Sequence, residues 1–296
     1  AGVRNGIERV SKFMMPILIV LSVLIAVYSV TRPGAMEGVK YFLVPNVKNF
    51  SWMTVVAAMG QMFYSLSIAM GILITFGSYM KKETSLEDST RNVEVFDTAI
   101  AIMAGLMIIP AVFSFSGGDP DTLQAGPALM FITIPKVFEN MGFGTVVGIL
   151  FFLLVLFAAV TSSIALTESA VSTFEDELGW SRRRATVLVG VIMIALGSLS
   201  SLGYGPLAGI KIIGMQFLDF FDFLTNSVMM PIAAMLTSLF VSRIVGMKRM
   251  EEEIMHGEST FRRKKIFIVM IKYLCPVFAL IILISSVANA FGWIAM

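Results

Sequence analysis

The sequence predicts an all-α polytopic membrane protein with about seven transmembrane helices, and three observations carry that class. Hydrophobic residues make up 57% of the chain and charged residues 14%, with a mean hydropathy of +0.85. The long apolar runs have the length of a bilayer-crossing helix, about 20 residues. No alternating ten-residue pattern of a membrane β-barrel is present.

Composition also excludes classes. A net charge of +2 is too small to suggest nucleic acid. The single cysteine, Cys275, lies in an apolar segment, and the single histidine, His256, lies in a charged loop. A zinc cluster, an intrachain disulfide and a Cys/His nucleophile are therefore ruled out of the expectation. No nucleophile–base pair can be assembled, so an intramembrane enzyme is not expected. The chain opens Ala1-Gly2-Val3-Arg4, without methionine or a signal-peptide pattern, and reads like the middle of a larger protein.

Taken in order, the first segment runs from Ile7 to Ser29 behind Arg4, Arg9 and Lys12. The second is an apolar run from Trp52 to Tyr79, unusual in carrying Gln61, Ser65, Ser67, Thr75 and Ser78 together with Gly60, Gly71 and Gly77. Such small polar residues suit close helix packing. They also suit an interrupted helix, which is tolerated at membrane depth only where freed backbone groups are buried in protein or line a polar cavity. In secondary transporters such breaks sit at the midplane and offer carbonyls to a cation and half-helix N-termini to an anion. The third segment runs from Val95 to Phe115, the fourth from Gly144 to Phe174, and the fifth from Ala185 to Leu202. The sixth spans Met215 to Val241 and the last Ile266 to Trp293.

Basic residues orient the bundle. Arg4, Arg9, Lys12, Lys81, Lys82, Arg91, Arg182, Arg183, Arg184, Arg243, Lys248, Arg249, Arg262, Arg263, Lys264 and Lys265 fall on one side. Only Arg32, Lys40, Lys48, Lys136 and Lys211 fall on the other. The bias predicts a cytoplasmic chain start in the plasma (inner) membrane and an outside end at Ala295-Met296. On the outer side, Gly117 to Met141 is broken by Pro120, Pro127 and Pro135 yet too apolar for a solvated linker, and is read as a re-entrant or capping element. Glu175-Asp176-Glu177 and Arg182-Arg183-Arg184 flank Gly179-Trp180 and read as a solvated helix end and turn.

Two constellations invite chemistry. At 100° per residue, Ala158, Thr161, Ser162 and Leu166 share one helix face. Two hydroxyls beside a carbonyl make an oxygen-rich patch of the kind a hard cation needs. The same hydroxyls can instead bond back to carbonyls one turn earlier. Asp97, in Phe96-Asp97-Thr98, is either an intramembrane acid on an ion path or an interfacial acid at a helix start. Glu168, Asp219 and Asp222 are further acids at or within apolar segments.

At these residues the chain resembles a family. Gly60-Gln61-Met62-Phe63-Tyr64-Ser65-Leu66-Ser67 followed by Gly71 resembles the sixth helix of the neurotransmitter:sodium symporters. Thr161-Ser162-Ser163-Ile164-Ala165 with Phe174-Glu175-Asp176-Glu177-Leu178 resembles their eighth helix and its cytoplasmic end. Gly126-Pro127-Ala128-Leu129-Met130-Phe131-Ile132-Thr133-Ile134-Pro135 is similar to their fourth extracellular loop. Gly6 and Pro16 match the glycine–proline pair that lets the family's fifth helix unwind. The order is right over essentially the whole chain, and the prokaryotic amino-acid branch, leucine-transporter-like, fits best.

The resemblance implies roles. Ser65 and Asp97 would serve a first sodium site, and Ala158, Thr161 and Ser162 a second. Tyr64, Ser67, Ala69, Met70, Ser162 and Leu166 would line the substrate pocket. Gln61, Tyr64 and Asp222 would belong to an outer gate. Sodium is the coupling ion and the only metal implied; no other cofactor is expected. The partners implied are sodium, an amino acid and membrane lipid, with no nucleic acid. The chain matches family helices 5–11 of an inverted-repeat fold as one transmembrane domain, residues 1–296, with residues 117–141 as its outer cap. Family helices 1–4 are expected as the remainder of the parent chain.

The expected activity is that of the parent: sodium-coupled symport of a neutral, apolar or aromatic amino acid by alternating access. Met70 supplies an adaptable pocket wall. Asp97, where relatives carry asparagine, would supply the negative charge that others take from chloride, making transport chloride-independent, and could exchange a proton when sodium leaves. The alternatives are a membrane-embedded amino-acid sensor that binds without moving its ligand and a non-transporting fragment.

Overall fold

The computed structural model describes residues 6–117, 126–257 and 260–294. Arg4 of the basic flank, residues 118–125 of the capping stretch and the terminal Ala295-Met296 lie outside the described residues. Among the described residues the regular structure is helical, with one isolated β-bridge, Ile212–Met215.

In chain order the helices are α1 (Glu8–Val30), α2 (Ala35–Leu43), α3 (Trp52–Ser65), α4 (Ile72–Ser78), α5 (Leu86–Ser116), α6 (Ile134–Glu139) and α7 (Gly144–Leu178). They continue with α8 (Arg182–Leu202), α9 (Phe217–Asp222), α10 (Met230–Phe240), α11 (Met247–Ile254), α12 (Lys264–Val269) and α13 (Cys275–Ala290). π-helical turns join α9 to α10 at Phe223–Met229 and α12 to α13 at Met270–Leu274. Among the described residues six helical stretches are long and apolar enough to cross a membrane: α1, α5, α7, α8, Phe217–Val245 and Lys264–Ala290. The seventh expected span, Trp52 to Tyr79, is the one that is divided, between α3 and α4. Two helices overshoot hydropathy. α5 begins at Leu86 rather than Val95, and α7, at about 52 Å for its 35 residues, outruns a hydrocarbon core of about 30 Å.

The chain divides into two compact units. The first comprises residues 1–49 and 94–164. Its core gathers Leu18, Leu21 and Ile25 of α1, Met107, Ala111 and Val112 of α5, Ile134, Val137 and Phe138 of α6, and Phe151 and Leu154 of α7. Backbone contact replaces side chains where α2 meets α5: a Cβ on Gly38 would lie 2.8 Å from the Cα of Pro110. The proline-broken stretch is thus an element packed into the core: a π-helical turn over Leu129–Thr133 leads without a break into α6, and Pro135, which has no N–H to give the preceding turn, follows directly on it. α1 is wound through Pro16 in this conformation, so the unwinding expected between Gly6 and Pro16 is not present here. Proline removes one intrahelical bond, but its fixed φ suits the helix, and the Lys12–Glu8 pair at 2.7 Å braces the preceding turn.

The second unit comprises residues 50–93 and 165–296. Ser51 starts α3 by a reciprocal cap, its hydroxyl accepting from the Thr54 amide at 3.3 Å while Thr54 Oγ1 accepts from the Ser51 amide at 3.2 Å. Phe63 of α3 packs with Met230 and Ala234 of α10 and Ala279 and Ile282 of α13. Burial raises the pKa of Tyr204, in the loop before α9, and the Asp219 carboxylate beside it adds to the effect.

Candidate functional site

The break between α3 and α4 occupies residues 66–71. Ser67 and Ala69 hold left-handed φ angles of 54° and 64°, and Gly71 follows at 79°. Two non-glycine residues in that region store on the order of 1 kcal/mol each or more, so the surrounding packing must over-determine the turn. Part of that packing is visible: Ile68, Ala69 and Met70 rest against the Phe63–Met230–Ile282 cluster. At Gly71 a Cβ would lie 2.7 Å from the Ser169 hydroxyl, so the absent side chain lets α4 approach α7.

Beside the last turns of α3 a cavity of about 350 Å³ is lined by Gln61, Tyr64, Asp222, Asn226, Ser227 and Ser286, among others. It brings Gln61, Tyr64 and Asp222 to one place. Asp222 accepts from Asn226 Nδ2 at 2.5 Å, one turn along the same helix. Asn226, Ser227 and Ser286 were not singled out by sequence; they sit in apolar runs, where an isolated amide or hydroxyl gives no distinguishing signal.

Beyond the break, the same unit holds a polar network that sequence reasoning missed. Glu168 is buried to 4% exposure within α7. Its carboxylate accepts from the Tyr79 hydroxyl at 2.8 Å and pairs with the Arg182 guanidinium at the start of α8. Arg182 also reaches Glu175 at 3.2 Å. One turn toward the break, Thr75 Oγ1 lies 3.3 Å from Ser172 Oγ and 3.5 Å from Ser169 Oγ. Arg182 is therefore the partner of a buried charge rather than part of a solvated turn. The available signal was Glu168 itself, an acid in the middle of an apolar helix.

In the first unit, the Thr161 hydroxyl donates back to the carbonyls of Ala158 at 2.9 Å and Phe157 at 3.1 Å. That is the back-bonded arrangement, yet the single proton it spends leaves the oxygen lone pairs facing away. Ala158 is half-buried against the core and Ser162 is exposed. Asp97 is half-buried about three turns inside α5, so the reading of it as a helix-start acid falls with the longer helix. Ser65 closes α3 and Leu166, 49% exposed, lies on α7; both belong to the second unit, whereas Asp97, Thr161 and Ser162 belong to the first.

A multi-pass integral membrane protein whose polar groups gather around a broken helix has the architecture of a secondary transporter. The chain belongs to the Sodium:neurotransmitter symporter family, whose model matches residues 1–292. This is a family of secondary transporters, not enzymes. An uncharacterized sodium-dependent transporter of Bacillus subtilis, YhdH, is 36% identical over 258 residues, covering 87% of this chain and 56% of the relative. An uncharacterized sodium-dependent transporter of Haemophilus influenzae is 33% identical over 96% of this chain and 61% of its own length. The solved structure of MhsT in complex with L-phenylalanine superposes with a TM-score of 0.82 at 36% identity, covering 96% of this chain and 64% of that one. The chain thus spans a little over half the length of the curated relatives it matches.

Proposed function

We propose that the protein containing this chain is a sodium-coupled symporter of a neutral, apolar or aromatic amino acid, working by alternating access and independently of chloride. The observation that carries the reading is the left-handed break at Ser67, Ala69 and Gly71 inside a membrane-length apolar run. A transporter needs such a break to offer backbone groups to an ion and a substrate, and a simple spanning helix does not. MhsT, similar at 36% identity, is solved with L-phenylalanine, which supports an apolar or aromatic amino acid here. Residues 1–296 would act within a single transmembrane domain of an inner-membrane protein, with the chain start on the cytoplasmic side.

In this reading Ser65 and Asp97 ligate one sodium ion, and Ala158, Thr161 and Ser162 another. Tyr64, Ser67, Ala69, Met70, Ser162 and Leu166 contact the substrate, and Gln61, Tyr64 and Asp222 form the outer gate. The Tyr79–Glu168–Arg182 network holds α4, α7 and α8 together at the opposite end. Release on that side requires it to open, so it acts as the inner latch.

The test is uptake of radiolabelled phenylalanine and leucine by proteoliposomes holding the intact protein. Accumulation is expected only with an inward sodium gradient. Thr161→Ala combined with Ser162→Ala is expected to raise the half-saturating sodium concentration by roughly tenfold, the effect of about 1.4 kcal/mol. Binding of amino acid without gradient-driven accumulation would make the protein a sensor instead, and unchanged sodium dependence in the double variant would remove those hydroxyls from the ion's shell.

A further inference from the structure

The last two membrane-length stretches each carry a π-helical segment that meets one from the other. A π-helical segment at Val241–Val245 ends one stretch, another at Met270–Leu274 interrupts the next, and the two segments pack against each other. A π turn places an extra residue in the turn and re-aims the side chains it carries. Each of these segments carries one cation, Arg243 and Lys272. Both are exposed, and neither has a hydrogen bond or ion pair among the described residues. Neighbouring basic residues differ: Arg263 lies 3.9 Å from Glu87 and Lys264 pairs with Glu251.

Depth makes Lys272 unusual. It lies eight residues beyond Lys264, about 12 Å further along a stretch long and apolar enough to span the bilayer. Around the two cations the surface is apolar and open: Ile244 is 74% exposed, Tyr273 64%, Phe240 51% and Val269 47%. A charge set among exposed apolar side chains of a membrane-length stretch needs a counter-charge or a route to the headgroups. Tyr273 adds an aromatic ring of the kind enriched at headgroup level. Two unpaired cations on segments that pack against each other fit one phosphodiester of net negative charge better than a zwitterionic headgroup, whose own ammonium they would repel.

We propose that Arg243 and Lys272 form a binding site for the phosphodiester of an anionic phospholipid, in the leaflet bordered by Arg262–Lys265. The site is independent of the sodium and substrate assignments, and it is read out without transport. The experiment is native mass spectrometry of the intact protein exchanged from phosphatidylglycerol, phosphatidylcholine or mixed nanodiscs, together with thermal unfolding in detergent supplemented with each lipid. Phosphatidylglycerol is expected to be retained roughly tenfold over phosphatidylcholine and to raise the unfolding midpoint, and Arg243→Gln with Lys272→Gln to abolish both preferences. Soluble glycerol 3-phosphate at the same concentration should do neither. Should the double variant fail to fold, the single Lys272→Gln variant and the wild-type lipid comparison decide the matter. Equal retention of the two lipids, an undiminished preference in the variant, or equal protection by glycerol 3-phosphate would each overturn the proposal.

Discussion

In the proposed mechanism, Asp97 is the residue where one carboxylate would change what a transporter must import. A neutral residue beside a bound sodium leaves an uncompensated positive charge in a poorly polar interior, and such a charge must be balanced. Asp97 lies well inside α5, half-buried, where an ionised carboxylate would supply that balance. The intact protein is therefore expected to take up substrate at the same rate when chloride is replaced by gluconate. Asp97→Asn is expected to lose activity or to become chloride-responsive. A wild-type requirement for chloride, or an Asn variant indistinguishable from wild type, would show that Asp97 does not balance the ion. Sequence alone left Asp97 undecided, because hydropathy started its helix at Val95. The polar turn Leu86–Glu94 continues the helix through capping and local hydroxyl bonds, such as Thr90 to Leu86 at 2.9 Å, that a hydropathy window cannot register.

At the scale of the element, the break and the latch make opposite demands. The break needs residues that tolerate positive φ, and only Gly71 does so without strain. Gly71→Ala is expected to destabilise the protein by about 2 kcal/mol, adding left-handed strain to a collision with Ser169. Ala69→Gly, which removes a Cβ from the same turn, is expected to be neutral or stabilising by up to about 1 kcal/mol. Thermal unfolding of the intact protein in detergent checks both, and equal effects of the two substitutions would place the break elsewhere. The latch obeys charge arithmetic. Arg182→Ala leaves Glu168 buried without its cation, at a cost of about 3 kcal/mol, the low end for buried pairs because Arg182 remains 39% exposed. Glu168→Gln should recover much of that loss when added to Arg182→Ala. Additive losses in the double-variant cycle would mean that the two groups do not sense one another. The broken run was legible from its glycines and serines. The latch was not, because Arg182 fell into a string of arginines that orientation already explained, and nothing in the sequence singles out one arginine as the partner of an acid fourteen residues earlier.

For the whole molecule, the fold class and six of the spans follow from hydropathy, while the second span was legible only as an anomaly. The stretch Gly117 to Met141 reads in sequence as neither linker nor span, and the structure gives the reason for its described part: Ile134, Val137 and Phe138 are buried in the core of the first unit. The grouping of Gln61 with Asp222 came from the family resemblance, whereas the pairing of Tyr79 with Glu168, 89 residues apart, had no signal in the sequence. The chain spans a little over half the length of its relatives, so the transport proposed above is that of a protein of their full length. Purified residues 1–296 reconstituted alone are expected to show no sodium-driven uptake, whereas the intact protein does. Accumulation by the isolated chain would show that these residues hold complete ion and substrate sites.

Trp180 stacks on Phe174 with ring centroids 5.7 Å apart, two residues from the arginine that grips Glu168. The indole is thus an optical probe that nature has already installed beside the latch. Its emission depends on the stacking partner and on water, and both change if α7 and α8 part at that end. This chain contributes only two other tryptophans, Trp52 and Trp293. In an intact protein stripped of its other indoles, the colour of one ring would report, in real time and without a label, which way the carrier faces.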